Sequence, residues 1–400
     1  MKNALLAAAV SSALAAPALA APASNALPTG EQVVGGSAAV SRPADARMQI
    51  DQTSQRAVIN WQSFSIGAEA RVTVAQPSTS SVLLNRVVGN SPTEIFGQLN
   101  ANGQVFLVNP NGVLFAPGAS VSVGGLFASS LAISDTDFMA GQYRFSRDGI
   151  AGDVVNQGQI VALNGYAALA GPRVRNDGTI VANLGTVALA AGDRVTLDLV
   201  GDGLINVSVD QAAMNASAVN TGLLQANGGR VLMSAKTAHA LLDTVINNTG
   251  ILRANRMAER DGTIVLEAGD FGTIDVSGTM EASGGITITG GGGGSGPVIE
   301  GPGPVIGIAP GTLTLNTTVT TGSTINWQSF NISSEEEAVQ FVQSTGTVAL
   351  TSTLRTATTA NAPIHGSLML TNQVGQLAPL QHNVIGTGVL VPTDAFFSLK

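Results

Sequence analysis

A short internal repeat limits the possible folds of this chain more than any other feature of its sequence. The run Asn156 to Ala162 (NQGQIVA) returns twenty residues later as Asn176 to Ala182 (NDGTIVA), and looser copies follow around Gly222, Gly250 and Gly278, which are 28 residues apart. Each copy is followed by a second short run of small and apolar residues. A period of about 20 to 28 residues that holds two or three short strands is typical of one coil of a parallel β-helix.

Stacking of such coils accounts for the residue types in the repeat. Alternate Val, Ile, Leu and Ala side chains would point into one continuous core, while each strand pairs with the coils above and below it. The asparagines that open the repeat would lie at equivalent corners and bond to one another along the axis. The 48 glycines argue against a helix-rich fold. The sequence therefore predicts an all-β protein, a right-handed parallel β-helix (solenoid) with an N-terminal capping sheet.

Charge and cysteine content narrow the functional class. Charged residues make up 11% of the chain, against roughly 25% in ordinary soluble proteins. The net charge is -8 and Lys and Arg total 18, so we expect no nucleic-acid partner. Cysteine is absent, and a chain that leaves the cytoplasm without disulfides depends on a large, regular core.

Residues 1–20 have the three-part pattern of a secretory signal peptide. Lys2 precedes an apolar region, and the small residues from Pro17 to Ala20 form a cleavage site before Ala21. No other stretch approaches the roughly 18 uninterrupted apolar residues of a membrane-spanning helix.

The remaining chain divides into four predicted parts. Residues 21–148 form a secretion domain and cap, and residues 149–283 form the repeat coils. A Gly- and Pro-rich stretch, residues 284–310, is expected to be a flexible linker that ends the solenoid. Residues 311–400 are expected to be a partial second copy of the cap, because Ile325 to Phe330 (INWQSF) repeats Ile59 to Phe64 residue for residue. The pattern stops midway at Lys400, which is consistent with a fragment of a longer protein.

A turn of unusual composition lies between two apolar runs, QVFLV (104–108) and VLFA (113–116). Asn109, Pro110, Asn111 and Gly112 form this turn. Proline fixes φ near the value for the second position of a type I or II turn, and glycine accepts a positive φ. Asparagine amides can satisfy neighbouring backbone groups. The sequence predicts a strand, a tight turn and a second strand.

Four motifs in a fixed order, INWQSF, LNRV, GQVFLVNPNG and ASSLAIS, lie within residues 59–134. With the surrounding residues 28–210 they resemble the N-terminal secretion domain of two-partner-secretion exoproteins, the filamentous haemagglutinin family, and within it the high-molecular-weight adhesin branch. A second family motif, NPNL, is absent, and Gln76-Pro77-Ser78 stands roughly at its place. That departure fits the adhesin branch.

The resemblance implies a function and a set of recognition residues. The chain would be exported through the periplasm and outer membrane of a Gram-negative bacterium and would act as an adhesin or haemagglutinin on a host-cell or neighbouring-cell receptor. The periplasmic domains of a cognate outer-membrane β-barrel transporter would recognise the region from Ile59 to Ile133, through strand addition. The residues assigned to this secretion motif are Trp61, Asn85, Arg86, Asn109, Pro110, Asn111 and Gly112. Trp61 and Phe64 are expected to be core anchors as well.

Catalytic, cofactor-binding and metal sites are not expected. The three histidines share no metal-ligand spacing, and no nucleotide-binding or nucleophile motif occurs. The main alternative function is a carbohydrate-active β-helix enzyme, a polysaccharide lyase or hydrolase, which would need paired carboxylates at a defined separation. An autotransporter passenger is a further alternative. The residues considered for the enzyme are Asp193, Arg194, Asp198, Asp202 and Asp210. Five Asn-x-Ser/Thr sequons, at Asn206, Asn215, Asn247, Asn316 and Asn331, leave glycosylation open.

Overall fold

The computed structural model describes residues 21–283 with gaps at 164, 200–203, 239–243, 269–272 and 277. Beyond residue 284 it describes strand segments between residues 285 and 385. The predicted signal peptide, residues 1–20, lies outside the described residues. Among the residues described, no helix is long and apolar enough to cross a lipid bilayer.

Thirty-eight strands and one short helix make up the described secondary structure. The first strands are β1 Gln32–Gly35, β2 Ala38–Ala44, β3 Arg47–Gln52, β4 Arg56–Trp61, β5 Arg71–Ala75, β6 Val82–Val87, β7 Thr93–Ile95, β8 Gln98–Ala101, β9 Gln104–Val108, β10 Val113–Phe115, β11 Ser120–Val123 and β12 Gly125–Ser129. After the helix α1 Asp135–Met139 come β13 Tyr143–Ser146, β14 Val154–Asn156, β15 Gln159–Ala162, β16 Tyr166–Gly171, β17 Arg173–Asn176, β18 Thr179–Val181, β19 Thr186–Ala191, β20 Arg194–Asp198, β21 Asn206–Gln211, β22 Ser217–Asn220, β23 Leu223–Gln225, β24 Arg230–Ala235, β25 Thr244–Asn248, β26 Ile251–Ala254, β27 Thr263–Ala268, β28 Thr273–Val276, β29 Thr279–Ala282 and β30 Gly285–Gly290. The last strands are β31 Ile299–Glu300, β32 Val305–Ile308, β33 Thr312–Thr317, β34 Thr324–Trp327, β35 Ala338–Gln343, β36 Leu350–Arg355, β37 Ser367–Asn372 and β38 Leu380–Ile385.

The strands form three long sheets that wind around one core. Sheet 1 has 13 strands (β1 to β37), and sheets 2 and 3 have 11 strands each, running from β2 to β32 and from β7 to β38. From β7 to β33, apart from the strands of a small outer sheet, the chain visits sheet 3, sheet 2 and sheet 1 in turn, so three strands complete one coil. Neighbouring coils pair in parallel, for example β9 with β12 and β16 with β19. The predicted parallel β-helix is confirmed.

The N-terminal end of the helix is closed by antiparallel strands. β1 pairs antiparallel with β4 at the edge of sheet 1, and β2 pairs antiparallel with β3 at the edge of sheet 2. Parallel pairing begins immediately afterwards, between β3 and β5 and between β4 and β6. Coils therefore begin well before residue 149, where the repeat first becomes visible in the sequence.

The repeat asparagines form the ladder that the sequence predicts. Nδ2 of Asn156 donates to Oδ1 of Asn176 at 2.7 Å, Asn176 donates to Asn220 at 2.8 Å, and Asn220 donates to Asn248 at 2.7 Å. All four residues are fully buried. We call these four side chains the asparagine ladder. It keeps neighbouring coils in register, because a one-residue slip would leave buried amides without partners.

The repeat glycines are required by the close stacking of the coils. A Cβ atom on Gly222 would overlap the carbonyl oxygen of Gly178, and one on Gly250 would overlap that of Gly222. The same relation holds between Gly278 and Gly250. Glycine lets one backbone lie directly on the next at this corner, which explains why the 28-residue spacing is marked by this residue type.

An outer layer of one helix and three strands covers part of sheet 1. The sequences of these elements do not belong to the repeat. The helix α1 and a three-stranded antiparallel sheet, in the order β13-β20-β21, pack on the outward side chains of sheet 1. Phe106 and Phe127 of sheet 1 contact Phe145 of β13, with ring centroids 6.0 and 4.3 Å apart. As a result both faces of sheet 1 are buried at β9 and β12.

Strands also occur in the two C-terminal parts of the sequence. β30, β31 and β32 lie inside the stretch predicted as a linker and pair in parallel with β27, β28 and β29. Alternating residues such as Ile286 and Ile288 suit a strand despite the many glycines. Trp327 lies in sheet 3, whereas its sequence counterpart Trp61 lies in sheet 1. The division of the chain at residues 148, 283 and 310 stays a prediction.

Candidate functional site

The turn from Asn109 to Gly112 connects β9 of sheet 1 to β10 of sheet 3. The amide of Gly112 donates to the carbonyl of Asn109 at 2.9 Å, which makes Pro110 the second residue of a four-residue turn. Gly112 has a φ of 110°, in the region that favours glycine. The predicted strand, turn and strand are confirmed, and the turn is a corner of the coil.

The side chain of Asn109 is fully buried and fully hydrogen bonded. Its Nδ2 donates to the carbonyl of Ser91 and to Oγ1 of Thr93, both at 3.0 Å. Its Oδ1 accepts from the backbone amide of Asn111 at 2.9 Å and from Nδ2 of Asn111 at 3.1 Å. A side-chain amide has two donors and two acceptor positions, and all four are occupied.

The turn is bonded to the coil before it and to the coil after it. Nδ2 of Asn111 donates to the carbonyl of Gly89 at 2.9 Å. On the other side, Gly152 donates to the carbonyl of Pro110 at 2.8 Å, and Val113 donates to that of Asp153 at 3.0 Å. We call residues 89–93, 109–112 and 152–153 the coil clamp.

Trp61 and Asn85 form a buried polar pair inside the helix. Nε1 of Trp61 donates to Oδ1 of Asn85 at 3.1 Å, and neither residue is exposed. The rings of Trp61 and Phe64 meet edge to face at 5.3 Å. In the strand pairing Asn85 lies between Ile59 and Leu107, in an otherwise apolar row. Both aromatic residues are core anchors, as expected.

Arg86 faces the opposite side of sheet 1 from Asn85, because successive residues of a strand point to opposite faces. Its guanidinium donates to the carbonyl of Ile133 at 2.8 Å and to Oδ1 of Asn60 at 3.3 Å. An ion pair of 2.6 Å joins it to Asp135 at the start of α1. Arg86 therefore fastens the outer layer to the first coils.

The seven residues of the predicted secretion motif thus occupy three places. Trp61 and Asn85 lie in the core, Arg86 lies under the outer layer, and the turn lies at a corner. They do not line one pocket. Each group joins chain segments that are distant in sequence, so their shared property is that part of their hydrogen bonding forms only when neighbouring coils close. Sequence reasoning missed the partner residues, of which Thr93 and Asp135 are examples.

Chemistry for the alternative enzyme function is sparse in the described part of the chain. No group of three or more His, Cys, Asp or Glu side chains is placed to hold a metal there. Asp193 pairs with Arg147 at 3.3 Å, and Asp210 accepts hydrogen bonds from the hydroxyls of Thr196 and Ser208. Asp202 lies outside the described residues.

Most of this chain matches the model of one known protein family. The family model of the TPS secretion domain, where TPS stands for two-partner secretion, matches residues 24–287. The chain belongs to this family. All seven residues of the secretion motif lie inside the matched TPS domain. Proteins with this domain are secreted across the outer membrane of Gram-negative bacteria.

Similar proteins come from Haemophilus influenzae. One heme/hemopexin-binding protein is 35% identical to the TPS chain over 253 residues, which is 61% of this chain and 27% of the relative. A second protein of that name is 30% identical over 264 residues, 60% of this chain and 28% of the relative. The chain therefore spans about a quarter of the length of these relatives.

A solved structure shares the fold of the TPS chain. The crystal structure of the HMW1 secretion domain from Haemophilus influenzae matches it with a TM-score of 0.69 and 25% identity, covering 93% of this chain and 100% of that one. This match confirms the resemblance to the secretion domain of the adhesin branch. The relatives are secretion domains and binding proteins by name.

Proposed function

We propose that residues 59–133 of this exoprotein are recognised, during export, by the periplasmic domains of a cognate outer-membrane β-barrel transporter. The observation that carries the proposal is the match of residues 24–287 to the TPS secretion domain. Trp61, Asn85, Arg86 and the turn from Asn109 to Gly112 are the residues assigned to it.

The geometry of these residues supports a role before folding is complete. Asn85 and Asn109 are polar groups that the folded protein hides, and the partners of Asn85 Oδ1 and Asn109 Nδ2 lie 16 to 24 residues away. In an extended chain the same amides are free to bond to a transporter strand. Closure of the coils buries these amides, so folding releases the chain from the transporter.

Folding in this helix has a direction. The antiparallel strands β1 and β2 close the N-terminal end, and each later coil pairs with the edge of the coil before it. A segment that emerges outside the cell therefore finds a preformed edge, and each added coil opposes backward movement. Export by this route draws on the free energy of folding.

The deletion of residues 22–145 tests this function. The signal peptide is kept, so we expect the shortened chain to reach the periplasm and to be missing from the medium. A matched control deletes residues 250–277, one 28-residue period that brings Gly278 to the place of Gly250, and this variant is expected in the medium. Immunoblots of the periplasmic fraction and of the medium measure the outcome. Normal secretion of the first variant would exclude the proposal.

Adhesion to a host-cell or neighbouring-cell receptor is the end use that we propose for the secreted protein. The solved HMW1 domain supports it through the adhesin branch, whereas the two Haemophilus relatives are named for binding heme and hemopexin. Binding of the secreted protein to epithelial cells, to immobilised hemopexin and to heme distinguishes these uses. Binding to hemopexin without cell attachment would replace adhesion by ligand capture.

A further inference from the structure

A groove of about 250 Å³ lies between the outer layer and sheet 1. One wall is β21, and the floor is the outward face of β24 and β27. Val207 and Val209 of β21 are buried against sheet 1, while Leu232 and Val265 form the apolar middle of the floor. The polar residues that line the groove are Asn206, Ser208, Arg230, Lys236 and Glu267.

The wall of this groove is the edge of a sheet. The outer sheet has the order β13-β20-β21, so among the described strands β21 pairs with β20 and is the edge of the sheet. An edge strand presents backbone donors and acceptors to any extended segment that lies beside it. The floor of the groove extends beyond the free edge of β21, because β27 lies next to β24 in sheet 1.

Nε of Arg230 is a buried polar group of the groove that has no hydrogen-bond partner among the described residues. Oγ of Ser234, on the same strand, also lacks a partner in the described part of the chain, but this residue is fully buried and does not line the groove. Arg230 pairs in the sheet with Thr186 and Thr263, which carry no charge, whereas Ser234 lies beside Glu267. The Arg230 end of the groove is therefore positive, and the other end holds charges of both signs.

We propose that this groove binds an extended peptide segment of another protein as a fourth strand of the outer sheet, with an acidic side chain of the peptide on Arg230. The pairings within the outer sheet are antiparallel, so the peptide runs antiparallel to β21. β21 starts near Thr186, since Oγ1 of that residue donates to the carbonyl of Ile205, and Thr186 neighbours Arg230 in sheet 1. The acidic residue consequently lies near the C-terminal end of the peptide.

The shape of the groove favours a strand over an enclosed small molecule. Pockets for drug-sized ligands measure about 300–1,000 Å³ and bury most of the ligand surface. This groove is smaller and runs along β24 from Arg230 past Leu232 to Lys236. Alternate side chains of a strand would rest on Leu232 and Val265, while the others point to solvent.

The probe is a fluorescent peptide of roughly eight residues that alternates Val and Thr and carries Glu near its amidated C-terminus. A matched peptide has Gln in place of Glu. We expect the purified full-length protein to bind the Glu peptide about tenfold more tightly than the Gln peptide, because the bond to Arg230 is charge-assisted. Arg230→Gln should remove this preference and leave affinity for the Gln peptide unchanged. Arg256→Gln, on an exposed arginine elsewhere, is the control variant and should change neither affinity.

Backbone pairing is tested separately with N-methylated probes. Methyl groups on one alternate set of peptide amides should abolish binding, and methyl groups on the other set should be tolerated, since only one set faces β21. Val265→Lys, which fills the floor, should block both unmethylated peptides. The proposal is overturned if no peptide binds at about millimolar concentration, if both methylated sets bind alike, or if Arg230→Gln weakens the Glu and Gln peptides equally.

Discussion

Asparagine side chains hold this apolar core in register. Asn85, Asn109 and the asparagine ladder are fully buried, and the main partners of each amide lie in a neighbouring coil or strand segment. A buried donor or acceptor that loses its partner costs about 1–3 kcal/mol, so each amide penalises a wrong alignment. Apolar side chains alone would tolerate such slips far better.

Asn109→Ala should destabilise the refolded protein by about 2–4 kcal/mol, since it leaves the Ser91 carbonyl, the Thr93 hydroxyl and the Asn111 amide without partners. Asn111→Ala should cost about 1 kcal/mol, because its side chain is partly exposed. Urea unfolding of refolded protein measures both. Equal urea midpoints for the two variants would contradict this difference between a buried and a partly exposed amide.

The amount of secreted protein distinguishes an effect of the turn residues on export from an effect on stability. If the turn engages the transporter, the Asn111→Ala protein, which stays folded, should still show a severalfold loss in the medium. Normal yield together with a slightly lower melting temperature would assign the turn to stability alone.

Tyr166 is expected to limit the stability of the folded protein at alkaline pH. It is buried, and burial, with a smaller electrostatic contribution from the neighbouring Tyr143, raises its pKa well above the ordinary value of 10.0. Because the folded state holds this proton more tightly, its contribution to stability is complete below pH 10 and is lost as the pH rises above it, by up to about 1.4 kcal/mol per pH unit. Ultraviolet titration of Tyr143→Phe, which keeps Tyr166 as the one tyrosine, should show no phenolate until the protein unfolds. Reversible titration near pH 10 in the folded state would contradict this.

At the level of elements, the asparagine ladder should act as a connected unit. Asn176→Ala removes a member with partners on both sides, so Asn156 Nδ2 keeps only the carbonyl of Gly158 and Asn220 Oδ1 loses its ladder donor. Asn248→Ala removes the last member, and Asn220 Nδ2 loses its ladder partner but keeps its hydrogen bond to the carbonyl of Gly222. We expect the interior change to cost about 1–3 kcal/mol more, measured by the urea midpoint. Equal costs would show that the bonds are independent of position in the ladder.

The structural elements differed in how well they could be predicted from the sequence. The turn at residues 109–112 was predictable because Pro110 and Gly112 determine local backbone angles, and the ladder was predictable because its residues recur with the coil period. The coil clamp was not, since Ser91 and Thr93 carry no signal that links them to Asn109. The outer layer was missed for the same reason: the paired residues of β13 and β20 are at least 48 positions apart, and these strands belong to no repeat.

On the scale of the whole molecule, each coil contacts mainly its two neighbours, so stability should be regional. A chain that ends at Ala268 keeps Trp61 as its one tryptophan, because Trp327 is removed. We expect the free energy of unfolding of the first coils, measured in urea by Trp61 fluorescence, to stay within about 0.5 kcal/mol of that of the full chain carrying Trp327→Phe. A large shift would indicate that the helix unfolds as a single cooperative unit.

Copies of this protein should be unable to polymerise through their N-terminal ends. The outermost strand of sheet 2, β2, contains Pro43, which has no backbone N–H, beside Arg42, which is paired with Glu31 at 2.7 Å. The outermost strand of sheet 1, β1, has four residues and an irregular register. Short, charged or proline-bearing edges resist pairing with a second chain. An amyloid fibril grows by adding strands at exposed edges, so at high concentration these β-rich molecules would remain separate at this end.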